Sequence, residues 1–376
     1  MMSNDDAPRN TDSLSDALRL AMLPGVGPRL RRALLDHFGT SAAALAAPES
    51  HLRDVPGIGA TLSRRIAAAR DTLDPDAEIE LAAEHGIRIV ADADPDYPRL
   101  LRELPDPPGI LFIRGELRPA DEMAIAMVGA RHATHYGRTT AEKLAGSLAR
   151  AGLTIVSGLA RGIDAASHRG ALAVGGRTIA VLGSGILNVY PPEHRDLADE
   201  VAASGALLSE APLRAAPMSG TFPQRNRLIS GLSLGTIVVE AASRSGSLIT
   251  ARHAMEQGRE VFAVPGRVDS RTARGCHRLI RDGARLVETA DDVLEELGPL
   301  VAPTSDSEGR AIHHPAELQL NDVERLVLDA VRKDPTPIDE LLAQLDMPTS
   351  QVLATLSVLE MRRLVRRGGG GVVFRP

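Results

Sequence analysis

Residues 124–131 read Ala-Ile-Ala-Met-Val-Gly-Ala-Arg: five apolar positions without a break, then a glycine, then an arginine two places on. An unbroken apolar run suits a strand covered on both faces, as in a parallel sheet flanked by helices. Six further runs share the pattern: LTIVSG at 153–158, TIAVLG at 178–183, ALLSE at 206–210, TIVVE at 236–240, EVFAVPG at 260–266 and RLVE at 285–288. Helical patterns separate them, as right-handed crossovers require. The stretch 121–298 is therefore expected to be a Rossmann-like, doubly wound, mostly parallel α/β sheet.

Outward from the sheet the rhythm changes. Residues 14–70 read as short helices, and two turns resemble each other: LPGVGPRLRRAL at 23–34 and VPGIGATLSRRI at 55–66. The pattern is that of helix-hairpin-helix modules, in which glycines let backbone N–H groups approach a phosphate at a helix N-terminus. Arg29, Arg31, Arg32, Arg64 and Arg65 would supply charge. The alternative is a tight helix–helix turn with no DNA contact. Residues 1–13 are expected to be a disordered tail, 71–120 an extension with two short strands, and 299–317 a polar linker rich in Pro and Ser. Residues 318–376 carry three helical patterns and a glycine-turn hairpin, the ingredients of a winged helix.

A chain of 376 residues is too long for one ordinary core. Its single cysteine, Cys276, excludes an intrachain disulfide and a Cys-rich zinc site, and no run reaches membrane-span length. An acidic, polar N-terminus unlike a secretory signal makes the cytoplasm the expected compartment. The net charge of −6 excludes a uniformly basic nucleic-acid binder but not a local patch. Nearly all the basic residues are arginine, with Lys143 and Lys333 the two lysines.

Ligands of open α/β sheets sit outside the carboxyl ends of the strands. Those ends carry Gly129-Ala130-Arg131, Ser157-Gly158 with Arg161, Gly183-Ser184-Gly185 and Arg244-Ser245-Gly246-Ser247. Phe222, Arg225, Asn226 and Arg227 lie in a segment between the fourth and fifth of these runs. Glycine turns, hydroxyls, helix N-termini and arginines together describe a phosphate-binding rim. Neither G-x-G-x-x-G nor a P-loop occurs, which disfavours NAD, FAD and ATP hydrolysis; no cofactor and no metal are expected. Glu210 and Glu240 end strands and could be catalytic carboxylates, although such residues more often hold loop backbone; His168 could pair with Asp164.

The motifs VGARHATHYG (128–137), SGLARGIDAASHRGAL (157–172), TIAVLGSGILNVYPPEHRDL (178–197), FPQRNRLISGLS (222–233), VVEAASRSGSLITARHAMEQGREVFAVPG (238–266) and GCHRLIRDGA (275–284), in that order, resemble the DNA processing protein A (DprA/Smf) family. The resemblance implies a non-catalytic bacterial protein that binds and protects single-stranded DNA during natural transformation and loads the RecA recombinase as a homodimer. It assigns strand binding to Gly129, Arg131, Ser157, Gly158, Arg161, Ser184, Phe222, Arg225, Asn226, Arg227, Ser245, Gly246 and Ser247. It places the dimer contact near Cys276, His277, Leu279, Ile280 and Leu286. Two departures stand out: Thr134 where the family often has Ser, and Leu187 where it often has Asp. Stacking on Phe222 would add about 1–3 kcal/mol per base.

Candidate duplex contacts are Arg29, Arg64, Arg362, Arg363 and Arg366, with protein docking the favoured role for the winged helix. The enzymatic rival is a nucleotide N-glycosidase of the lysine-decarboxylase-like Rossmann superfamily. It expects a PGGxGTxxE segment, and ASRSGSLIT here lacks that glutamate.

Overall fold

A computed structural model describes residues 13–300, 303–306 and 308–376. Nine strands form its central, mostly parallel sheet: β1 (Ile87–Ala91), β2 (Ile110–Gly115), β3 (Ala124–Val128), β4 (Thr154–Ser157), β5 (Thr178–Val181), β6 (Ala206–Ser209), β7 (Gly235–Val238), β8 (Glu260–Ala263) and β9 (Arg285–Leu286). All seven apolar runs become strands. The described residues divide into two compact units, one ending at Glu116 and joined by Gly158–Ala160 and Ile179–Leu232, the other comprising Leu117–Ser157, Arg161–Thr178 and Ser233–Pro376.

The first unit opens with the repeated turns. Gly25 and Gly57 sit at φ 96° and 89°, where a side chain would be strained. Gly27 and Gly59 then cap the helices Pro28–Phe38 and Ala60–Ala67. Leu23, Val26 and Leu34 recur 32 positions later as Val55, Ile58 and Ile66, and all six share one core. The result is a tandem helix-hairpin-helix domain. Arg31 does not supply surface charge: it is buried, and its guanidinium makes two hydrogen bonds to Asp92, at 2.6 and 3.0 Å. Positions 1–12 of the expected tail lie outside the described residues, while Ser13 caps the helix Leu14–Ala21 by accepting from Asp16 N. The strand order in this unit is β1-β2-β6-β5, with β5 and β6 parallel and the other pairs antiparallel.

In the second unit β4-β3-β7-β8-β9 are all parallel. From β3 the chain crosses through the helix His135–Arg150 to β4 on one side; from β7 it crosses through Ser247–Glu256 to β8 on the other. The junction of β3 and β7 is therefore the topological switch point, where such sheets open a crevice. The core beneath it holds Ile125, Met127, Leu148, Ile155, Ile237 and Phe262.

The winged helix has helices Asp322–Ala330, Ile338–Gln344 and Thr349–Met361 and a three-stranded sheet. Gly370 and Gly371, both at positive φ, turn its wing. The expected linker is more structured than its composition suggested. Thr304–Ser305 pairs with Ala311–Ile312, and a 3₁₀ helix spans Pro315–Gln319. Buried Ile312 and Ala316 anchor it; Val301, Ala302 and Ser307 lie outside the described residues.

His314 caps that 3₁₀ helix, its Nδ1 accepting from Ala316 N at 3.0 Å. Burial, then the Arg363 charge, push its pKa down to about 4. Between an unfolded value of about 6.5 and the folded one, the unfolded chain binds the extra proton, so stability falls as the pH drops through that window. Going from pH 7 to pH 5 is expected to remove about 1–2 kcal/mol. His314→Gln should flatten that dependence in thermal melts; equal pH sensitivity in both proteins would count against the assignment.

Candidate nucleic-acid interface

At the switch point, β3 runs into Gly129-Ala130-Arg131. A Cβ on Gly129 would lie 2.5 Å from Ile163 and 3.0 Å from the Glu240 carbonyl, so only glycine fits. Glu240, just past β7, fixes the loop. Its carboxylate accepts from Thr134 N at 2.9 Å and from Thr134 Oγ1 at 2.6 Å. Thr134 in turn caps the helix His135–Arg150 by accepting from Gly137 N. Gly137 must be bare because a Cβ would sit 2.5 Å from that carboxylate. Glu240 thus takes the loop-holding role, and the Thr134 departure keeps the hydroxyl this needs. Arg131 and His132 are left exposed at the tip.

Two neighbouring loops complete this edge. The turn Arg244–Ser247 opens the helix Ser247–Glu256; the Ser245 and Ser247 hydroxyls share a 2.8 Å hydrogen bond, and Gly246 and Arg244 are exposed. The loop after β8 is pinned to Ala241, whose N–H donates to Thr272 O and whose carbonyl accepts from Gly275 N, both at 2.7 Å. It presents exposed Arg267, paired with Asp269 at 3.0 Å, and exposed Arg271 and Arg274. Arg244 belongs to the expected rim, whereas Arg271 and Arg274, eight and eleven residues past the end of β8, were absent from the expected set. Arg161 is also exposed in this unit, whereas Ser157 is buried, its hydroxyl donating to Met127 O at 2.6 Å across β3 and β4. His168 is buried against Thr178 Oγ1 at 2.7 Å.

The first unit carries the rest of the set on the helix Thr221–Gly231. Phe222 is half-buried, its ring centroid 5.7 Å from that of Tyr190 and its edge against Gly183. Gln224 is exposed and Asn226 half-buried. Arg225 and Arg227 are not surface contacts, contrary to expectation. Arg225 is 4% exposed and donates to Gly158 O at 2.9 Å and to Val181 O. Arg227 is 6% exposed and donates to Asp106 O at 2.8 Å and to Glu210 Oε2 at 2.5 Å. Buried carbonyls need a donor, and Arg225 supplies one to the residue after β4 and to the last residue of β5, Arg227 to the loop before β2. Burial raises the Glu210 pKa, with Arg227 pulling it down. Gly158 is buried beneath Arg225, and Ser184 is buried with its hydroxyl on Asn188 O.

The dimer candidates separate. Cys276 and Leu279 are core residues, and burial pushes the Cys276 thiol up to about 11, so neither can form a contact surface. His277 and Ile280 are half-buried and Leu286 is 48% exposed. Of the duplex candidates, Arg29 and Arg64 are exposed, with Arg64 Nε on Ala60 O of its own helix. Arg362 pairs with Glu324 at 3.5 Å and Arg363 with Glu296 at 3.1 Å, while Arg366 is exposed. Among the described residues no helix is long and apolar enough to cross a membrane, and no cluster of three His, Cys, Asp or Glu could hold a metal.

Comparison with known proteins covers nearly the whole chain. The model of DNA recombination-mediator protein A matches residues 88–298, that of the DprA winged helix domain 312–371, and that of a SAM-like helix-hairpin-helix tandem 17–71. Protein Smf of Synechocystis sp. is 36% identical over 384 residues, covering 94% of this chain and 96% of its own length. DNA processing protein DprA of Bacillus subtilis is 45% identical over 215 residues, covering 57% of this chain and 72% of its own. The X-ray structure of DNA processing protein A from Streptococcus pneumoniae aligns with a TM-score of 0.67 at 35% identity, over 77% of this chain and 99% of that one. A Helicobacter pylori structure, described for its single-stranded DNA binding mode, aligns with a TM-score of 0.50 at 29% identity, over 55% of this chain and 93% of that one. With matching models for all three of its domains and a relative aligned almost end to end, the chain belongs to the DNA recombination-mediator protein A family, the DprA or Smf proteins.

Proposed function

We propose that this protein binds single-stranded DNA in the cytoplasm as a step of DNA processing during natural transformation, protects the strand, and passes it to the RecA recombinase without catalysing a reaction itself. The carrying observation is the exposed Arg131 at the β3–β7 switch point, accompanied by exposed Arg244 in the loop after β7 and by exposed Arg271 and Arg274 in the segment that follows β8. Arginine forks suit phosphates, and strand-tracking grooves need such a series. The Helicobacter pylori relative, described for binding single-stranded DNA, supports the same ligand.

A homodimer is part of the proposal, with Leu286, His277 and Ile280 as the available surface side chains near the sheet's β9 edge. The N-glycosidase rival loses support because Glu240 is committed to Thr134 and Glu210 to Arg227. Duplex binding by the winged helix loses support because Arg362, Arg363, Arg367 and Arg375 are each paired with a carboxylate.

The test is a titration of the full chain with a single-stranded oligonucleotide and its duplex, with oligomeric state measured on the same sample. Tight single-strand binding that weakens with salt is expected, because phosphate contacts release counterions. Equal affinity for duplex, or no affinity for the single strand, would reject the reading.

A further inference from the structure

The second unit contains a cavity of about 310 Å³ between the linker and the winged helix, at the small end of the roughly 300–1,000 Å³ of ligand sites. Leu328, Val331 and Leu364 give it apolar walls. His314 lines it from the linker and is 5% exposed. Its Nδ1 accepts from Ala316 N, so the neutral ring carries its proton on Nε2. That N–H has no acceptor among the described residues. Lys333 lines the winged-helix side, exposed and likewise without a partner among the described residues.

The side-chain carboxylates of the lining already have donors. Asp329 takes Arg375 at 3.2 Å, and Glu317 Oε1 takes the N–H groups of His313 and His314 at 3.2 and 3.0 Å. Arg375 is engaged further, with the carbonyls of Leu328 and Val331. Arg363 adds a cation whose charge reaches His314. It sits at φ 59° beyond the helix Thr349–Met361, where helices commonly end on glycine. Its Nη1 and Nη2 hold Glu296 at 3.3 and 3.1 Å, and its Nε has no acceptor among the described residues.

Three donor groups, one from the linker and two from the winged helix, outnumber the two oxygens of a carboxylate. They match the three oxygens of a terminal phosphate. We infer that this cavity takes a phosphate monoester, with its oxygens on His314, Lys333 and Arg363 and its organic part against Leu328, Val331 and Leu364. Such a ligand ties the linker to the winged helix, so it stabilises the folded form of both.

The test titrates the full chain with inorganic phosphate, phenyl phosphate and dimethyl phosphate, at constant ionic strength and slightly above neutral pH. The readout is the imidazole Nε2 resonance of His314 in protein made with nitrogen-labelled histidine, identified by its loss in His314→Gln. Saturable movement of that resonance is expected. Phenyl phosphate should bind most tightly, and dimethyl phosphate, a diester with two free oxygens and a single charge, least. Lys333→Ala removes an exposed side chain with no partner, so it should fold like wild type. It should weaken phenyl phosphate binding about tenfold, the low end for one charge-assisted hydrogen bond. A His314 resonance unmoved by all three probes overturns the inference, as does unchanged affinity in Lys333→Ala. Phenyl phosphate binding no tighter than inorganic phosphate would remove the apolar walls from the site and overturn the monoester assignment. Dimethyl phosphate binding as well as inorganic phosphate would assign the cavity to a nucleic-acid backbone and overturn it too.

Discussion

Arg131→Ala is expected to weaken single-stranded DNA binding about 10- to 100-fold while leaving the fold intact. Arg131 stands exposed on a loop whose shape is set by other residues: Gly129 through its close packing, and Thr134 through Glu240. Removing an exposed side chain away from the core changes stability within about 0.5 kcal/mol. A charge-assisted hydrogen bond to phosphate is worth about 1.5–3 kcal/mol, which gives the stated loss. The salt dependence supplies a second readout. Each lost phosphate contact should reduce the slope of log affinity against log salt by about 0.7 for a single strand. Arg131→Lys keeps the charge and loses the fork, so it should fall between wild type and alanine. Undiminished affinity with an unchanged salt slope would remove the switch point from the binding surface.

The contrast between Arg131 and its expected partners shows what the sequence made legible. Mainly apolar runs located β3 to β8 because those strands are buried along nearly their whole length, whereas β9, the exposed Arg285–Leu286, was legible only as the short run RLVE. The paired glycine turns announced the helical tandem, since Gly25 and Gly57 occupy a backbone region closed to other residues. The sides taken by individual side chains were harder to read. In GCHRLIRDGARL, the three-residue spacing of Cys276 and Leu279 puts both on the core face of one helix, separating them from His277 and Ile280. That spacing was readable. The burial of Arg225 and Arg227 was not, because hydrophobic periodicity treats arginine as a surface residue. Their interior position depends on carbonyls at Gly158, Val181 and Asp106, which are distant in sequence. The loop after β8 was overlooked for the converse reason: Arg271 looks like ordinary surface composition until its neighbours tie the loop to Ala241.

Arg225→Ala should therefore act through stability, with an expected loss of about 3–5 kcal/mol. Two buried carbonyls, Gly158 O and Val181 O, take hydrogen bonds from this one guanidinium. Hydrogen bonds to charged groups contribute about 1.5–3 kcal/mol each, and orphaned buried acceptors carry their own desolvation penalty. Against a total of roughly 5–15 kcal/mol, that is enough to leave the sheet marginal. Arg225 also lies beside Phe222, its guanidinium carbon 6.0 Å from the ring centroid, so the variant should loosen the proposed stacking platform as well. Arg225→Lys offers a single ammonium in place of a planar fork and should recover only part of the loss. Calorimetry is the suitable measurement, because a chain of several domains need not unfold in one step and the affected transition can be followed separately. The expected result is a large downward shift of one transition, with residual DNA binding restored on cooling or in a stabilising osmolyte. A variant that melts like wild type yet has lost its affinity for single strands would identify Arg225 as a DNA contact and refute its assignment to the interior.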